Sequence, residues 1–288
     1  MRLSKGITLH FVKNGEVLNM KKNTELSIII VNYKNYNLTI KCIESITKSV
    51  TGIDYDIIVI DNDSPNESYS KLESKFRNTE NIEIIKNSRN SGFGAANNLG
   101  VERSNSKYVL ILNPDIEVVD DAINKMLEKI KSDKNIGIVS GKLLNEDLSL
   151  QYSCRRILPF NEFLVARTPI SKLVSPKKKE FFNNKYLMKD FNHNVSCEVE
   201  WVMGACMMIE KDQFEKVGGF SKDYFMYFED VDLCYKVRKS GKRVIYLNEA
   251  KLIHLHEQES KKKFNKMTII HLQSMLKFYY KYYFNKFN

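Results

Sequence analysis

Three carboxylates stand directly behind a greasy run in "YFMYFEDVDLCYKVRKSG", residues 224–241: Glu229, Asp230 and Asp232. Desolvating an unpaired charge is expensive. These acids therefore either cap a helix, where the macrodipole favours negative charge, or face a cleft and do chemistry. In a cleft, nearby dipoles keep Asp230 ionised at neutral pH, as a general base requires. The neighbours Phe225, Met226, Tyr227 and Phe228 would exclude water and raise its proton affinity. Asp232 either faces solvent or pairs with Lys236 at i,i+4.

Further acids and polar groups follow apolar runs. Asp115 ends "KYVLILNPD" and is held by Pro114. It suits Mg²⁺ or Mn²⁺, because hard cations take oxygen ligands and share carboxylates with substrate phosphates. Its alternative is a helix N-cap. Asp61 ends "YDIIVIDND" and is placed either to accept hydrogen bonds from a base or ribose or to shape a turn. Tyr33 ends "LSIIIVNY", where it stacks on a base or edges the core. The glycine-rich "RNSGFGAANNLG", residues 89–100, leads into a helix whose amides can receive an anion. A tight turn explains it equally. No GK[ST] follows and the first strand does not precede it, so it is neither a Walker loop nor a dinucleotide fingerprint. His254 and His256 alternate and would share one face of a strand, near a metal or diphosphate or simply in the core.

These residues need elements to hold them. The apolar, β-branched runs 26–33, 55–63, 81–87 and 107–115 read as strands, the first two buried on both faces. Between them, helical spacing appears at 36–49 (Leu38, Cys42, Ile43, Ile46), at 68–76, from near Gly94, and at 120–133. The alternation implies an α/β fold with a mainly parallel sheet flanked by helices. Ligands bind beyond the carboxyl ends of such strands. Asn32-Tyr33, Asp61-Asn62-Asp63 and Asn113-Pro114-Asp115 would then gather along one edge. Residues 151–194 are basic and aromatic, hold three of the five prolines, and read as a long mobile loop with short helices. A strand and short helix ending at Gly218-Gly219 follow. Next come a helix from Glu229 to Ser240 stopped by Gly241, two short strands within 242–260, and a final helix from Lys266 to about Tyr283. Residues 1–24 read as a polar extension with a small hairpin around Asn14-Gly15.

The bulk numbers bound the reading. With 288 residues, 43% hydrophobic and 28% charged, bulk disorder is excluded. A net charge of +10 marks a solvated basic surface or attraction to a phosphorylated substrate, nucleic acid or acidic membrane. No nucleic-acid module is recognisable, so none is expected as a partner. Five cysteines without a CxxC pair argue against a disulfide framework and structural zinc, leaving reduced, cytosolic thiols. The N-terminus lacks the apolar core of a secretion signal. No window approaches ~20 consecutive apolar residues, so no membrane span is expected.

Seven stretches, in order, carry a resemblance: "LSIIIVNYKNYNLTIKCIESI", "IIVIDNDSPNES", "NSRNSGFGAANNLG", "YVLILNPDIEV", "VEWVMGACMMI", "VGGFSKDYFMYFEDVDLCYKVRKSGKRV" and "AKLIHLHEQES". Together they resemble the family 2 inverting glycosyltransferases of GT-A fold, and within them the rhamnosyltransferase-like branch that builds bacterial surface polysaccharides. The resemblance covers residues 25–260. It implies a nucleotide-sugar-binding half at 25–145, a mobile acceptor-side insertion at 146–198, an acceptor and catalytic half at 199–260, and a basic aromatic helix at 261–288. Residues 1–24 have no counterpart.

The resemblance implies a dTDP- or UDP-sugar donor carrying a rhamnose-like hexose, a divalent cation (Mg²⁺ or Mn²⁺), and a glycan or lipid-linked saccharide acceptor. Tyr33 and Asp61 would hold the base with Asn32 nearby. Arg89, Asn90 and Gly92 would border the nucleotide. Asp115 would be the retained acid of the DxD-type metal motif, whose first position is Asn113 here. Asp230 would be the general base, supported by Glu229. Trp201, Gly204 and Ala205 would shape the acceptor side, and His254 would approach the metal or diphosphate. The segment "HLHEQES" lacks a glycine often found there, so the choice between His254 and His256 stays open. A cytoplasmic protein is implied, peripheral on the membrane if the terminal helix and Lys177–Lys179 touch an anionic surface rather than simply pack. Two rivals stand beside this reading. A nucleotidyltransferase would need a glycine-rich basic loop after the first strand, which "VNYKNYN" does not offer. A non-catalytic nucleotide-binding protein would not need both Asp115 and Asp230.

Overall fold

The computed structural model describes residues 11–13, 16–18, 23–168, 172–255 and 266–284. Its centre is a nine-stranded sheet. Strands β3 (Leu26–Asn32), β4 (Tyr55–Asp61), β5 (Ile82–Lys86) and β6 (Tyr108–Leu112) form a parallel block. All residues of β3 and β6 are buried, as continuous apolar runs require when helices cover both faces. The remaining strands are β7 (Ile116–Val118), β8 (Ile136–Leu144), β10 (Cys197–Val199), β12 (Cys206–Glu210) and β13 (Arg243–His254). The order is β10-β13-β8-β12-β6-β3-β4-β5, with β7 added on β13. Two short strands, β9 (Cys154–Arg155) and β11 (Trp201–Val202), pair separately, as do β1 (Phe11–Lys13) and β2 (Glu16–Leu18), the hairpin expected there.

The sheet's period of two sorts its side chains into two cores. Ile28, Ile30, Ile57, Leu110 and Met208 face helices α1 (Tyr36–Ser49), α2 (Ser68–Phe76) and α4 (Ala122–Ser132) through Cys42, Ile43, Leu72 and Met126. Ile29, Ile58, Val109 and Met207 face the other side. There α3 (Phe93–Arg103), α8 (Glu229–Lys239) and α9 (Lys266–Tyr279) contribute Ala96, Val231 and Phe278. Helices α5 (Phe160–Arg167), α6 (Pro176–Tyr186) and α7 (Lys211–Lys216) complete the fold.

Strand β12 decides where the site forms. It runs antiparallel between β6 and β8, so its first residue, Cys206, pairs with Leu112 at the end of β6. The turn that feeds β12, Gly204-Ala205, therefore lies at the edge where Asn113 and Asp115 emerge.

Two expectations need correction, and one strand is new. Residues 242–260 were read as two short strands, but β13 is one strand whose register shifts between Leu247 and Lys251. That bulge is what made it look like two. The solvent alternative for Asp232 fails, because its side chain is fully buried. Strand β8, unread in the sequence, is almost wholly buried beside β13 and β12. The segment 151–194 does contain short helices, α5 and α6, and their Phe163 and Tyr186 enter the core. The five cysteines form no disulfide.

Candidate active site

Asn32 and Asp61 end adjacent parallel strands, which sets them side by side. Both are fully buried. Asn32 Nδ2 donates to Asp61 Oδ2 (2.7 Å), and the Ser64 amide donates to Asp61 Oδ1 (3.0 Å). Thr39 Oγ1 donates to Asn32 Oδ1 (2.9 Å). Both Asp61 oxygens are thus engaged in holding the strand-end loop. Tyr33, next in the chain, is 42% exposed on the rim, with the Lys34 ammonium 4.8 Å from its ring centre.

Asn62 is the hub that sequence reading did not single out. Its amide nitrogen donates to Asn90 Oδ1 (3.1 Å) and its oxygen accepts from Asn87 Nδ2 (2.9 Å) and the Ser91 amide (3.2 Å). The glycine-rich loop is thereby tied to the end of β4, with Arg89 exposed beside it. Gly92 has φ +85° and ψ 172°, a conformation open almost only to glycine. A methyl group there would stand 2.1 Å from the Phe225 carbonyl oxygen, which also accepts from the Phe93 amide (3.1 Å). The nucleotide-side loop and the aromatic loop before α8 are therefore in direct backbone contact.

The Asp115 end of the site is assembled by β13. The Leu255 amide donates to the Asp115 carbonyl (2.8 Å), and His254 Nε2 stands 3.3 Å from Asp115 Oδ1, off hydrogen-bond alignment. His254 Nδ1 lies 2.6 Å from Gln151 Oε1, an oxygen that can only accept, so Nδ1 carries the proton. Nε2 stays close to a carboxylate oxygen with which it makes no hydrogen bond, a place where a cation held by both would fit. Asn113 Oδ1 and Asp115 Oδ1 are buried and accept no hydrogen bond. Two oxygens and an imidazole nitrogen fit a hard divalent cation that completes its shell with phosphate oxygens and water. Among the described residues no group of three or more His, Cys, Asp or Glu could hold a metal unaided. His256 lies outside the described residues.

Asp230 sits at the opposite end of the same turn. Its Oδ2 accepts from the Gly204 amide (3.0 Å) and its Oδ1 from the Val231 amide (2.8 Å). Ala205, the next residue, accepts from the Asn113 amide (2.9 Å). The dipeptide Gly204-Ala205 thus links the base candidate to the metal candidate. Chain reversal before α8 places Tyr227 and Phe228 in succession at left-handed φ (+68° and +67°). Non-glycine residues are strained there, on the order of 1–3 kcal/mol each, as is common at functional sites. The expected water-excluding wall is uneven: Phe228 is buried, Met226 and Tyr227 half-buried, and Phe225 44% exposed.

Burial raises the Asp230 pKa, opposed by the Gly204 and Val231 amides and by the Arg155 charge. Burial raises Glu229 well above the ordinary carboxylate value, with the Asp230 charge adding to it. Glu229 is 5% exposed and its Oε2 accepts no hydrogen bond. The two acids are therefore held differently: burial raises Glu229 with no hydrogen bond to its Oε2, while two amides oppose the rise at Asp230.

Trp201, the expected acceptor-side residue, is buried and donates Nε1–H to the Arg156 carbonyl (3.3 Å). The Ala205 side chain points into the core, leaving its carbonyl as its contribution. A methyl group on Gly204 would stand 3.1 Å from Phe93 and 3.4 Å from Asp230 Cβ, so this glycine opens the floor between them. Sequence reasoning missed Gln151 and Arg155; no local pattern marks either. Two concavities of about 310 and 410 Å³ open elsewhere, around Arg238, and touch none of these residues.

Comparison with known proteins agrees with this geometry. The family model "Glycosyl transferase family 2" matches residues 27–218, and "N-terminal domain of galactosyltransferase" matches residues 188–258. A low-salt glycan biosynthesis hexosyltransferase, Agl10, from Haloferax volcanii is 30% identical over 75% of this chain and 62% of its own length. The rhamnosyltransferase WbbL of Escherichia coli is 28% identical over 65% of this chain and 69% of its own. An N-acetylglucosaminyl-diphospho-decaprenol L-rhamnosyltransferase of Mycobacterium tuberculosis is 24% identical over 60% of this chain and 59% of its own. The chain thus spans about three-fifths to two-thirds of these relatives. Among solved structures, GalNAc-T7 with UDP, GalNAc and Mn²⁺ has a TM-score of 0.68 at 15% identity, over 90% of this chain and 48% of its own. The mannosyltransferase PcManGT from Pyrobaculum calidifontis with GDP-Man and Mn²⁺ has a TM-score of 0.56 at 13% identity, over 83% and 59%. The fold is GT-A, and the chain belongs to glycosyl transferase family 2, in its rhamnosyltransferase-like branch.

Proposed function

We propose that this chain moves a rhamnose-like hexose from a dTDP- or UDP-sugar to a hydroxyl of a glycan or lipid-linked saccharide, inverting the anomeric centre. The observation that carries the reading is the Gly204-Ala205 turn, hydrogen-bonded to Asp230 on one side and Asn113 on the other. It sets a carboxylate base beside a divalent-cation site, as transfer from a nucleoside diphosphate requires.

Asp230, held by two amides, takes the proton of the acceptor hydroxyl as that oxygen bonds to the anomeric carbon. The bond from that carbon to the diphosphate breaks on the opposite face, and the nucleoside diphosphate leaves. Asp115, Asn113 and His254 would hold Mg²⁺ or Mn²⁺, which neutralises the leaving diphosphate. Gln151 fixes the tautomer and orientation of His254. Tyr33 offers its exposed ring to the base, and the loop carrying Arg89, Asn90 and Gly92 borders the nucleotide. Asp61 and Asn32 act from behind, by fixing that edge. Glu229 supports Asp230 from the adjoining position, its own carboxyl raised by burial. Catalysis here is alignment plus electrostatics.

The partner surface is consistent with a lipid-linked acceptor. No helix among the described residues is long and apolar enough to cross a membrane. Helix α9 buries Met275, Phe278 and Tyr279 and presents Ile269 and Leu276 outward beside Lys277, and the π-helical turn after it (Tyr280–Phe284) exposes Tyr280 and Phe284. That amphipathic face suits peripheral contact with an anionic membrane.

The test is heat protection of the protein by UDP, dTDP and their sugars with and without Mn²⁺. A metal-dependent rise in Tm is expected in the wild type and lost in Asp115→Ala. Undiminished metal-dependent protection in that variant would overturn the cation assignment. A protein that binds the nucleotide yet hydrolyses no nucleotide sugar would favour the non-catalytic rival.

A further inference from the structure

Arg155 lies on β9 opposite Trp201 of β11, and its charge reaches Asp230, whose pKa it lowers. Its hydrogen bonds go to neutral groups: Nη1 to Tyr186 Oη (3.2 Å), Nη2 to the Tyr152 carbonyl (3.2 Å) and to Met203 Sδ (3.3 Å). Its Nε is buried and donates to nothing. Arg167, at the end of α5, reaches the same place. Both guanidiniums stand 5.2 Å from the centre of the Tyr186 ring. Arg167 Nη1 has Asn183 Oδ1 at 3.5 Å. Among the described residues neither arginine lies within ion-pair distance of a carboxylate, although the chain holds 35 acids and pairs Arg156, its neighbour, with Asp190.

Two cations gathered on one ring, desolvated and unpaired, repel each other. Arg167 is solvent-accessible, and the protein around it lowers its pKa by desolvation. His271 of α9 stacks near Phe163, Tyr227 and Phe228; burial and these two arginines push it down to about 4. The two arginines are therefore a positive pair near the base candidate with, among the described residues, no carboxylate at ion-pair distance. Guanidinium forks match phosphate oxygens in geometry and charge.

We propose that Arg155 and Arg167 form an acceptor subsite for a phosphate or diphosphate, carried by the acceptor and distinct from the donor's diphosphate at Asp115. This deepens the glycosyltransferase reading and rests on it. The acceptor's sugar hydroxyl would face Asp230 while its phosphate meets the two arginines. An acceptor built as a sugar on a prenyl diphosphate has that layout, with its lipid leaving toward the aromatic face of α9.

The probe is geranyl diphosphate, titrated calorimetrically into protein saturated with Mn²⁺ and whichever of UDP, dTDP or GDP binds the wild type. Binding is expected with the nucleotide in place. Arg167→Gln, on an accessible helix end, should weaken it at least about tenfold, the worth of one charge-assisted hydrogen bond. Arg155→Lys keeps the charge but not the fork and should weaken it too, while nucleotide affinity stays unchanged in both. Competition between geranyl diphosphate and the nucleotide would overturn the proposal, as would a parallel loss of nucleotide affinity in the variants. Geraniol binding as tightly as the diphosphate would also overturn it. Failure of the wild type to bind any of the three nucleotides with Mn²⁺ would instead sink the functional reading itself.

Discussion

Asp230 and Asp232 share the first turn of α8, two residues apart, and could hardly be kept more differently. Asp232 is surrounded by counter-charges: Lys236 lies 3.0 Å from its Oδ2, and its Oδ1 accepts from Lys281 (3.0 Å), Tyr282 Oη (2.6 Å) and Tyr224 Oη (3.3 Å). It fastens the C-terminal segment, α9 and the π-helical turn after it, to the domain. Asp230 has two backbone amides and, among the described residues, no cation within ion-pair distance. A structural acid comes with its counter-charges in contact; Asp230 is held by two amide dipoles, with the Arg155 charge acting from beyond contact distance. Helical geometry does the sorting, since residues two apart point to nearly opposite sides.

The comparison breaks most visibly by neutralising each acid in turn. Asp230→Asn should lower turnover of donor and acceptor by ~10²–10⁴-fold, the usual contribution of a general base, with the fold intact. Asp232→Asn should do the reverse. It leaves two ammonium groups facing a neutral buried amide and should cost about 3–5 kcal/mol of stability by urea unfolding. Its chemistry should survive where the protein stays folded. Equal stability losses in the two variants would dissolve the contrast. Gly92→Ala attacks the contact between the two halves of the site. Its backbone strain alone is on the order of 1–3 kcal/mol, and displacement of Phe225 should add to it. Thermal unfolding checks the sum.

Glu229→Gln sharpens the comparison through the smallest effect. Burial raises the Glu229 pKa in the fold, and the Asp230 charge adds to it. A raised carboxyl contributes stability that is full below its ordinary value of 4.5 and is lost as pH rises through the folded value. The variant should therefore flatten the decline of stability with rising pH above that ordinary value. Turnover should change by less than about tenfold, since the amide mimics the protonated acid. A tenfold or greater loss would mean that Glu229 itself moves a proton.

The sequence made some of this legible and hid the rest for a physical reason. Asp115 and Asp230 stand out because each follows an apolar run within a short motif, where local periodicity speaks. Strands β3, β4 and β6 were readable as unbroken β-branched runs. Strand β8 was not: Gly137, Gly141 and Lys142 interrupt its pattern, and its partners lie far along the chain. Gln151 meets His254 across 103 residues, and Arg155 meets Tyr186 across 31. Such roles arise from chain reversals that no local spacing encodes. Asp61 shows the converse: its type and place suggested a ligand, while the fold had committed both its oxygens.

The most direct test of the central claim is Asp230→Asn assayed twice, for nucleoside-diphosphate binding with Mn²⁺ and for transfer or hydrolysis of the nucleotide sugar that best protects the wild type. We predict binding within about twofold of wild type and turnover reduced by ~10²–10⁴-fold. Wild-type turnover in that variant would contradict the account, because no carboxylate base would then stand beside the Gly204-Ala205 turn.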